Sequence, residues 1–364
     1  MMYEKAIEVL KLLEDNGHQA YIVGGYVRDK LLGKDSNDID ICTSATPKEL
    51  MEIFDITTSS EVQYGAVRVI YKNYTYDVTT FRQELKYEDN RKPVKIKYIK
   101  DIKKDLLRRD FTINTFCINS NEEVLDFLNV KDDLDNKIIK TVGNPRYRIR
   151  EDSLRILRAI RFASSLDFKI DNKTKHYIMK YAKLLNSLSY QRKKDELNKI
   201  FLSSNKEAGV SLILDLKLDK YLELNNLSSI ILCNDVIGIW AQLEVDSLYP
   251  FTKLEKQQMK LIRKLLKEDN LDPYILYKYE LYSNSVCADI KGIDKKEVTK
   301  IYNNLSIYTR KDIALCELEI ANLLDKKPGK YLKEIMNDIE KKIVYKKLNN
   351  NKDDIISYIQ KTYS

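Results

Sequence analysis

The chain has 364 residues, enough for two to four compact units with cores of their own. Charged residues make up 32% of it and the net charge is +8, a balance that suits a polyanionic partner. Its five cysteines are scattered without paired spacing, which argues against a disulfide framework or a zinc site. No apolar run approaches the length of a membrane span and the start carries no signal-like segment, so a soluble, cytoplasmic protein is expected.

In chain order, Tyr3 to Asn16 shows a helical apolar period through Ala6, Val9, Leu10 and Leu13. Ala20 to Val23 is too short an apolar run for a helix and suits a buried strand. Gly24 and Gly25 follow, and allow backbone angles and a close ligand approach that a side chain would block. Tyr26 to Leu32 then reads as a short helix whose free N–H groups point at that turn, a seat for phosphate with Arg28 in reach of it.

In Asp38-Ile39-Asp40-Ile41 a strand period puts both aspartates on one face and both isoleucines on the other. Two same-face carboxylates repel unless a cation lies between them, and Mg²⁺ is the fitting ion because it takes carboxylate and phosphate oxygens together. A pair of such ions about 4 Å apart would activate a hydroxyl and stabilise a leaving pyrophosphate. Val67 to Tyr71 and Tyr74 to Phe81 read as two strands joined at Lys72-Asn73. Asp77 on the polar face of the second either completes a metal site or is a solvated strand residue; the pattern leaves both open.

Tyr87 to Pro93 is polar and ends in proline, and reads as a mobile loop. The strand-rich part ends near Lys140, and from Pro145 the pattern is helical. Over Arg148 to Ser164 a single helix is expected, with Arg148, Asp152 and Arg155 on one face and Ile156, Ile160 and Ala163 forming an apolar stripe. Lysines cluster toward the C-terminus, at Lys326, Lys327, Lys330, Lys333, Lys341, Lys342, Lys346 and Lys347, with Tyr331 and Tyr345 among them.

These motifs carry a resemblance. YIVGGYVRD, DIDICTSATP, YDVTTFR, KKDLLRRDFTIN and RIREDSLRILRAIRFAS occur in order over the first half of the chain. In that order and spacing they resemble the class II tRNA nucleotidyltransferases (the CCA-adding enzymes) and the related bacterial poly(A) polymerases, both of the DNA polymerase beta-like nucleotidyltransferase superfamily. The resemblance implies an α+β nucleotidyltransferase head, a mixed sheet with flanking helices, followed by all-α neck, body and tail domains. On this chain they would span residues 1–142, 143–205, 206–275 and 276–364.

It implies metal ligation by Asp38 and Asp40, with Asp77 as a further catalytic candidate, and a triphosphate seat at Gly24, Gly25 and Arg28. Arg109, Asp110, Asn114, Arg158 and Arg192 would also contact the nucleotide, although Asp110 and Thr112 are equally good helix-capping residues. The counterpart of Glu151-Asp152-x-x-Arg155 selects the base. The chemistry agrees, since cytosine and adenine each offer an amino donor beside a ring-nitrogen acceptor, which Asp152 and Arg155 match. CTP and ATP would be taken and UTP and GTP rejected. Gln191 stands where the family carries glutamate before Arg192, so that ionic contact is replaced by a hydrogen-bonding amide.

The loop at Tyr87–Pro93 corresponds to one needed for adding the final A, which counts against a CC-adding specialist. The C-terminal lysines would grip the tRNA backbone. Two isolated histidines, His18 and His176, cannot supply an appended metal-dependent phosphohydrolase domain. The expected activity is therefore addition and repair of the 3′-terminal CCA of tRNA. The remaining alternatives are an A-adding specialist, a poly(A) polymerase and a non-catalytic tRNA-binding protein.

Overall fold

In a computed structural model of the protein, residues 2–57, 65–88 and 92–363 are described. The chain divides into two units, Met1–Asn225 and Asn226–Ser364.

The first unit opens with α1 (Met2–Asp15), whose Ala6, Val9, Leu10 and Leu13 are all buried, as their spacing requires. Gly17, with φ at +81°, ends it, and the helix hands over to β1 (Ala20–Val23). After α2 (Gly25–Leu31) come β2 (Asp40–Thr43), α3 (Pro47–Ile53), β3 (Asp55–Thr57), β4 (Ala66–Tyr71) and β5 (Tyr74–Thr80). Lys72 and Asn73 both take positive φ, the two-residue turn that a tight hairpin prefers. A ribbon of β6 (Arg82–Glu88) and β7 (Lys92–Tyr98) precedes α4 (Ile102–Leu107), β8 (Cys117–Ile118) and β9 (Val124–Leu125).

Strand pairing thus reaches further into the segment expected as a loop, with Tyr87 opposite Pro93 and Glu88 opposite Lys92. A proline is tolerated there because a two-stranded ribbon has a free edge for the missing donor. The middle of that segment, 89–91, lies outside the described residues.

The main sheet runs β3-β4-β5-β2-β1-β8-β9, with β2 and β5 parallel and the other neighbours antiparallel. Register sorts its two faces. Ile22, Ile41, Tyr76 and Val78 share the face under α1, where the Tyr76 hydroxyl donates to the Met2 carbonyl at 2.8 Å. Val23, Cys42 and Cys117 lie on the other face, under Ile102 and Leu106 of α4 and beside Phe81. Asp40 and Asp77, in register with each other, belong to this second face.

After α5 (Lys131–Asp135), β10 (Ile138–Ile139) pairs in parallel with β11 (Lys169–Ile170) across α6 (Pro145–Glu151) and α7 (Leu154–Leu166). Ile156, Ile160 and Ala163 of α7 are buried, as the stripe demanded. Next are α8 (Asn172–Tyr181), α9 (Tyr190–Phe201), α10 (Lys206–Asp215) and α11 (Asp219–Leu222). The second unit is helical among its described residues. It runs α12 (Val236–Leu243), α13 (Lys253–Leu265), α14 (Pro273–Lys278), α15 (Leu281–Lys291), α16 (Lys295–Asn303), α17 (Glu317–Leu323), α18 (Tyr331–Val344) and α19 (Lys352–Tyr363). Leu332, Ile335, Ile339 and Ile343 of α18 form the spine of one core there, against Ile355 and Ile359 of α19. No helix among the described residues is long and apolar enough to cross a membrane.

Candidate active site

A cleft of about 710 Å³ in the first unit gathers twelve of the thirteen residues singled out from the sequence. Gly24, Gly25, Arg28, Asp38, Asp40, Arg109, Asp110, Asn114, Asp152, Arg155, Arg158 and Arg192 all line it. Asp77 lines a neighbouring cavity instead. Eight arginines and five aspartates among the described residues face the main cleft, so its wall is cationic around a short acidic edge.

That edge is the Asp38–Asp40 pair. The strand proper begins at Asp40, but the alternation extends back to Asp38: Ile39 and Ile41 are buried and both aspartates exposed. The Asp40 carboxyl is pushed up to about 6, first by desolvation among the surrounding groups and then by repulsion from Asp38, with the Arg109 guanidinium pulling the other way.

Gly24, at φ +78° and ψ −137°, caps α2 in a conformation that only glycine adopts without strain. A Cβ there would meet Asp40 Oδ2 at 3.5 Å and an Arg109 guanidinium nitrogen at 3.8 Å, filling the gap between acidic edge and basic wall. Gly24→Ala is therefore expected to destabilise the protein by about 1–3 kcal/mol from backbone strain. It should also weaken nucleoside triphosphate binding at least about tenfold, measured by calorimetry beside a melting curve; unchanged affinity would show that the gap is not the phosphate seat.

Beyond the glycines the wall is a chain of charge-assisted hydrogen bonds. Arg28 forks onto Asp29, with two bonds of 2.9 Å, and donates to Asn114 Oδ1 at 2.8 Å. Asn114 Nδ2 donates to Asp110 Oδ1 at 3.2 Å, and Asp110 Oδ2 accepts from Arg158 Nε at 2.7 Å and from its Nη2. Burial alone would raise the Asp110 carboxyl, but Arg158, Asn114 and the Phe111 N–H together hold it well below the usual carboxylate range. Both ends of this chain rest on one ring: the guanidiniums of Arg28 and Arg158 lie 5.2 and 5.3 Å from the Phe162 centroid, and Arg161 adds a third at 4.3 Å. Phe111 meets the same ring edge-on at 5.8 Å.

The expected single helix over Arg148–Ser164 is two. Asp152 sits at the break with φ −142° and ψ 104°, because its own Oδ1 accepts the Leu154 N–H at 3.1 Å and competes with the helical bond. Arg155 repairs the interruption, donating Nη1 to the Arg148 carbonyl at 2.7 Å and Nη2 to the Arg108 carbonyl at 3.1 Å. Arg148 also clamps that turn, donating to the Arg109 carbonyl at 2.7 Å and to the Arg108 carbonyl. The break leaves Asp152 at the cleft, its carboxyl raised by burial against the pull of Arg155.

Two positioning residues went unread in the sequence. Asp105, fully buried on α4, accepts from the Arg82 N–H at 3.1 Å, from Arg108 Nε at 2.8 Å and from Arg109 Nη2 at 3.4 Å, fixing both arginines. Its spacing of three and four from Arg108 and Arg109 was the available signal. Phe162 had none beyond its place in the apolar run.

A parallel-and-antiparallel sheet with a glycine turn, a same-face aspartate pair and an arginine-walled cleft defines a nucleotidyltransferase head. Comparison with known proteins agrees. A family model described as the Poly A polymerase head domain matches residues 20–140, and one for tRNA nucleotidyltransferase domain 2 matches 241–359. Between them a model described as "Probable RNA and SrmB- binding site of polymerase A" matches 167–227. The CCA-adding enzyme of Ligilactobacillus salivarius is 33% identical over 99% of this chain and 96% of its own length. That of Enterococcus faecalis is 32% identical over 100% and 97%. The Bacillus stearothermophilus CCA-adding enzyme in complex with CTP superposes with a TM-score of 0.87 at 25% identity, covering 99% of this chain and 97% of that one. The chain belongs to the CCA-adding enzyme family of tRNA nucleotidyltransferases.

Proposed function

We propose that the protein adds and repairs the 3′-terminal CCA of tRNA, using CTP and ATP and releasing pyrophosphate. The observation that carries this reading is the meeting, in one cleft, of the Asp38–Asp40 edge, the Gly24 turn, the arginine wall and the Asp152–Arg155 break. Family membership over nearly the whole chain supports it. Relatives captured with ATP, with CTP and with tRNA_CCA support the choice of substrates. A cytoplasmic setting fits a tRNA substrate.

The donor set suits Mg²⁺: two same-face carboxylates, one with its ionisation already disfavoured by desolvation and then by the other, are relieved by a divalent cation. Asp38 and Asp40 would hold it, and when bound it supplies neutralisation of phosphate charge and activation of the attacking hydroxyl. The glycine turn and Arg28 seat the triphosphate, with Arg109, Arg158 and Arg192 around it and Asp110 and Asn114 holding the guanidiniums in place. Asp152 accepts the exocyclic amino group of cytosine or adenine, while Arg155, anchored by carbonyls on one side, donates to the ring nitrogen. Head, neck, body and tail are kept as the finer division, with the C-terminal lysines of the tail along the tRNA backbone.

The test uses purified protein, Mg²⁺ and tRNA transcripts ending before CCA, after C and after CC, incubated with CTP, ATP or both. Growth of the shortest transcript by CCA and no further is the expected product. One A on the CC-ended transcript alone would make the protein an A-adding specialist, and long A tails a poly(A) polymerase. Asp152→Ala, run alongside, should lower kcat/KM for CTP and ATP about 10–100-fold, the value of a hydrogen bond to a charged group. Undiminished preference over UTP and GTP would move base choice elsewhere.

A further inference from the structure

A cavity of about 590 Å³ shares no lining residue with the active-site cleft among the described residues. It opens where β10 and β11 end. The two strands run in parallel, and the pairing continues past them with a 3.0 Å bond from the Asp171 N–H to the Ile139 carbonyl. A helix follows each strand, α6 after β10 and α8 after β11. The crevice beyond the carboxyl ends of parallel strands is where open α/β sheets take their ligands. The ten-residue α8 starts at it, bringing the positive end of a helix dipole.

Two buried threonines line it, Thr141 at 1% exposure and Thr174 at 0%. The Thr174 hydroxyl is engaged, donating to Asp171 Oδ2 at 3.1 Å and accepting the Thr141 N–H at 3.4 Å. The Thr141 hydroxyl has no hydrogen-bond partner among the described residues. A buried hydroxyl without a partner is costly, and one that lines a cavity marks where a ligand atom belongs. Lys140 and Lys173 are exposed cations on the rim, and the Lys140 bond to Asp133, 3.2 Å long and open to water, is a weak one. Asp171 is the carboxylate of the lining, its Oδ2 capping α8 through the Thr174 N–H at 2.9 Å. Tyr177 adds a half-buried ring, kept in place by Tyr181 stacked at 6.0 Å and His176 edge-on at 5.0 Å.

This set does not suit a bare anion, which Asp171 would repel, or a metal ion, which the two lysines would repel. It suits a molecule that carries a phosphate, hydroxyl donors and a flat ring together. We propose that the cavity is a binding site for a free nucleoside monophosphate. The phosphate lies between Lys140 and Lys173, the ribose hydroxyls donate to Asp171, and the base rests against Tyr177 with an acceptor on the Thr141 hydroxyl. The volume is within the range of small-ligand pockets. The site stands apart from the catalytic cleft and does not depend on the proposed CCA addition.

The experiment titrates the full chain by calorimetry with AMP, GMP, CMP, UMP and inorganic phosphate, each alone. Wild type is compared with Thr141→Val, Lys173→Glu and, as a control for the catalytic cleft, Asp152→Ala. At least one monophosphate should bind wild type with a Kd below about 1 mM. Lys173→Glu, a surface change in the first turn of a helix where a carboxylate is tolerated, should weaken it about tenfold or more. Thr141→Val should weaken it about threefold to tenfold and melt no lower than wild type, because the hydroxyl it removes has no partner to lose. Asp152→Ala should leave the Kd within about twofold, since Asp152 lines only the other cavity. No binding by any monophosphate, or inorganic phosphate binding as tightly as the best of them, would overturn the assignment. Binding lost in Asp152→Ala and kept in Lys173→Glu would place the ligand in the cleft and overturn it too. A single-stranded hexanucleotide that binds more tightly than any monophosphate, with the same dependence on Lys173, would make the cavity part of an RNA groove instead. Where Thr141→Val fails to fold, Lys173→Glu carries the test by itself.

Discussion

Asp40→Asn abolishes nucleotide incorporation, by at least about 10³-fold, and leaves tRNA binding by gel shift unchanged. Asparagine keeps the shape but removes the charge that faces Asp38 and would hold the cation, whose loss forfeits several kcal/mol of transition-state stabilisation. The same substitution should stabilise the metal-free protein. Asp40 titrates near 6 in the fold, above the ordinary aspartate value near 4, so its ionisation works against folding at neutral pH. That penalty is full above pH 6, shrinks as pH falls toward 4, and disappears below about 4, where both states are protonated. Melting curves without divalent cation should place the variant above wild type at pH 8 and equal to it below about pH 4. In the same window the proton competes with the cation, so cation-dependent nucleotide binding by wild type should weaken as pH falls through about 6. A variant that retains more than a few per cent activity, or melts below wild type at pH 8, removes Asp40 from the metal-holding role.

What the sequence disclosed was local. The Gly24–Gly25 turn, the outward alternation of Asp38 and Asp40 and the buried stripe of α7 each follow from a short-range period, and the structure keeps all three. The break at Asp152 was hidden because periodicity counts positions and ignores a carboxylate that captures the second N–H after it. Arg148 and Arg155 look like partners of a helical face in sequence. In the fold they serve carbonyls some forty residues upstream, a long-range contact that no spacing announces. The pairing of Arg68 with Asp77 was within reach: a two-residue turn at Lys72-Asn73 sets Tyr71 opposite Tyr74, and counting outward gives it.

Asp110→Asn carries the second large effect. Asp110 joins Asn114 to Arg158, and through Asn114 reaches Arg28, so one carboxylate ties together the two guanidiniums that share the Phe162 ring. Neutralising it leaves Arg158 without its buried counter-charge, and breaking such a pair costs about 3–5 kcal/mol. Asparagine keeps some hydrogen bonding, which places the expected loss at the lower end. Because the folded carboxyl is held below its ordinary range, its contribution is complete above about pH 4 and is lost as pH falls through the folded value. The stability gap between wild type and variant should therefore be constant from pH 8 to 5 and close in stronger acid. Function should follow the geometry, with the KM for ATP and CTP rising about 10–100-fold as Arg28 and Arg158 lose their fixed spacing, while kcat changes less. Asn114→Ala cuts only the link to Arg28 and keeps the Asp110–Arg158 pair, so it should give the KM effect with a smaller loss of stability. Equal destabilisation by the two variants would mean that Asp110 acts on the fold through the amide, and the ion pair would no longer be what organises the wall.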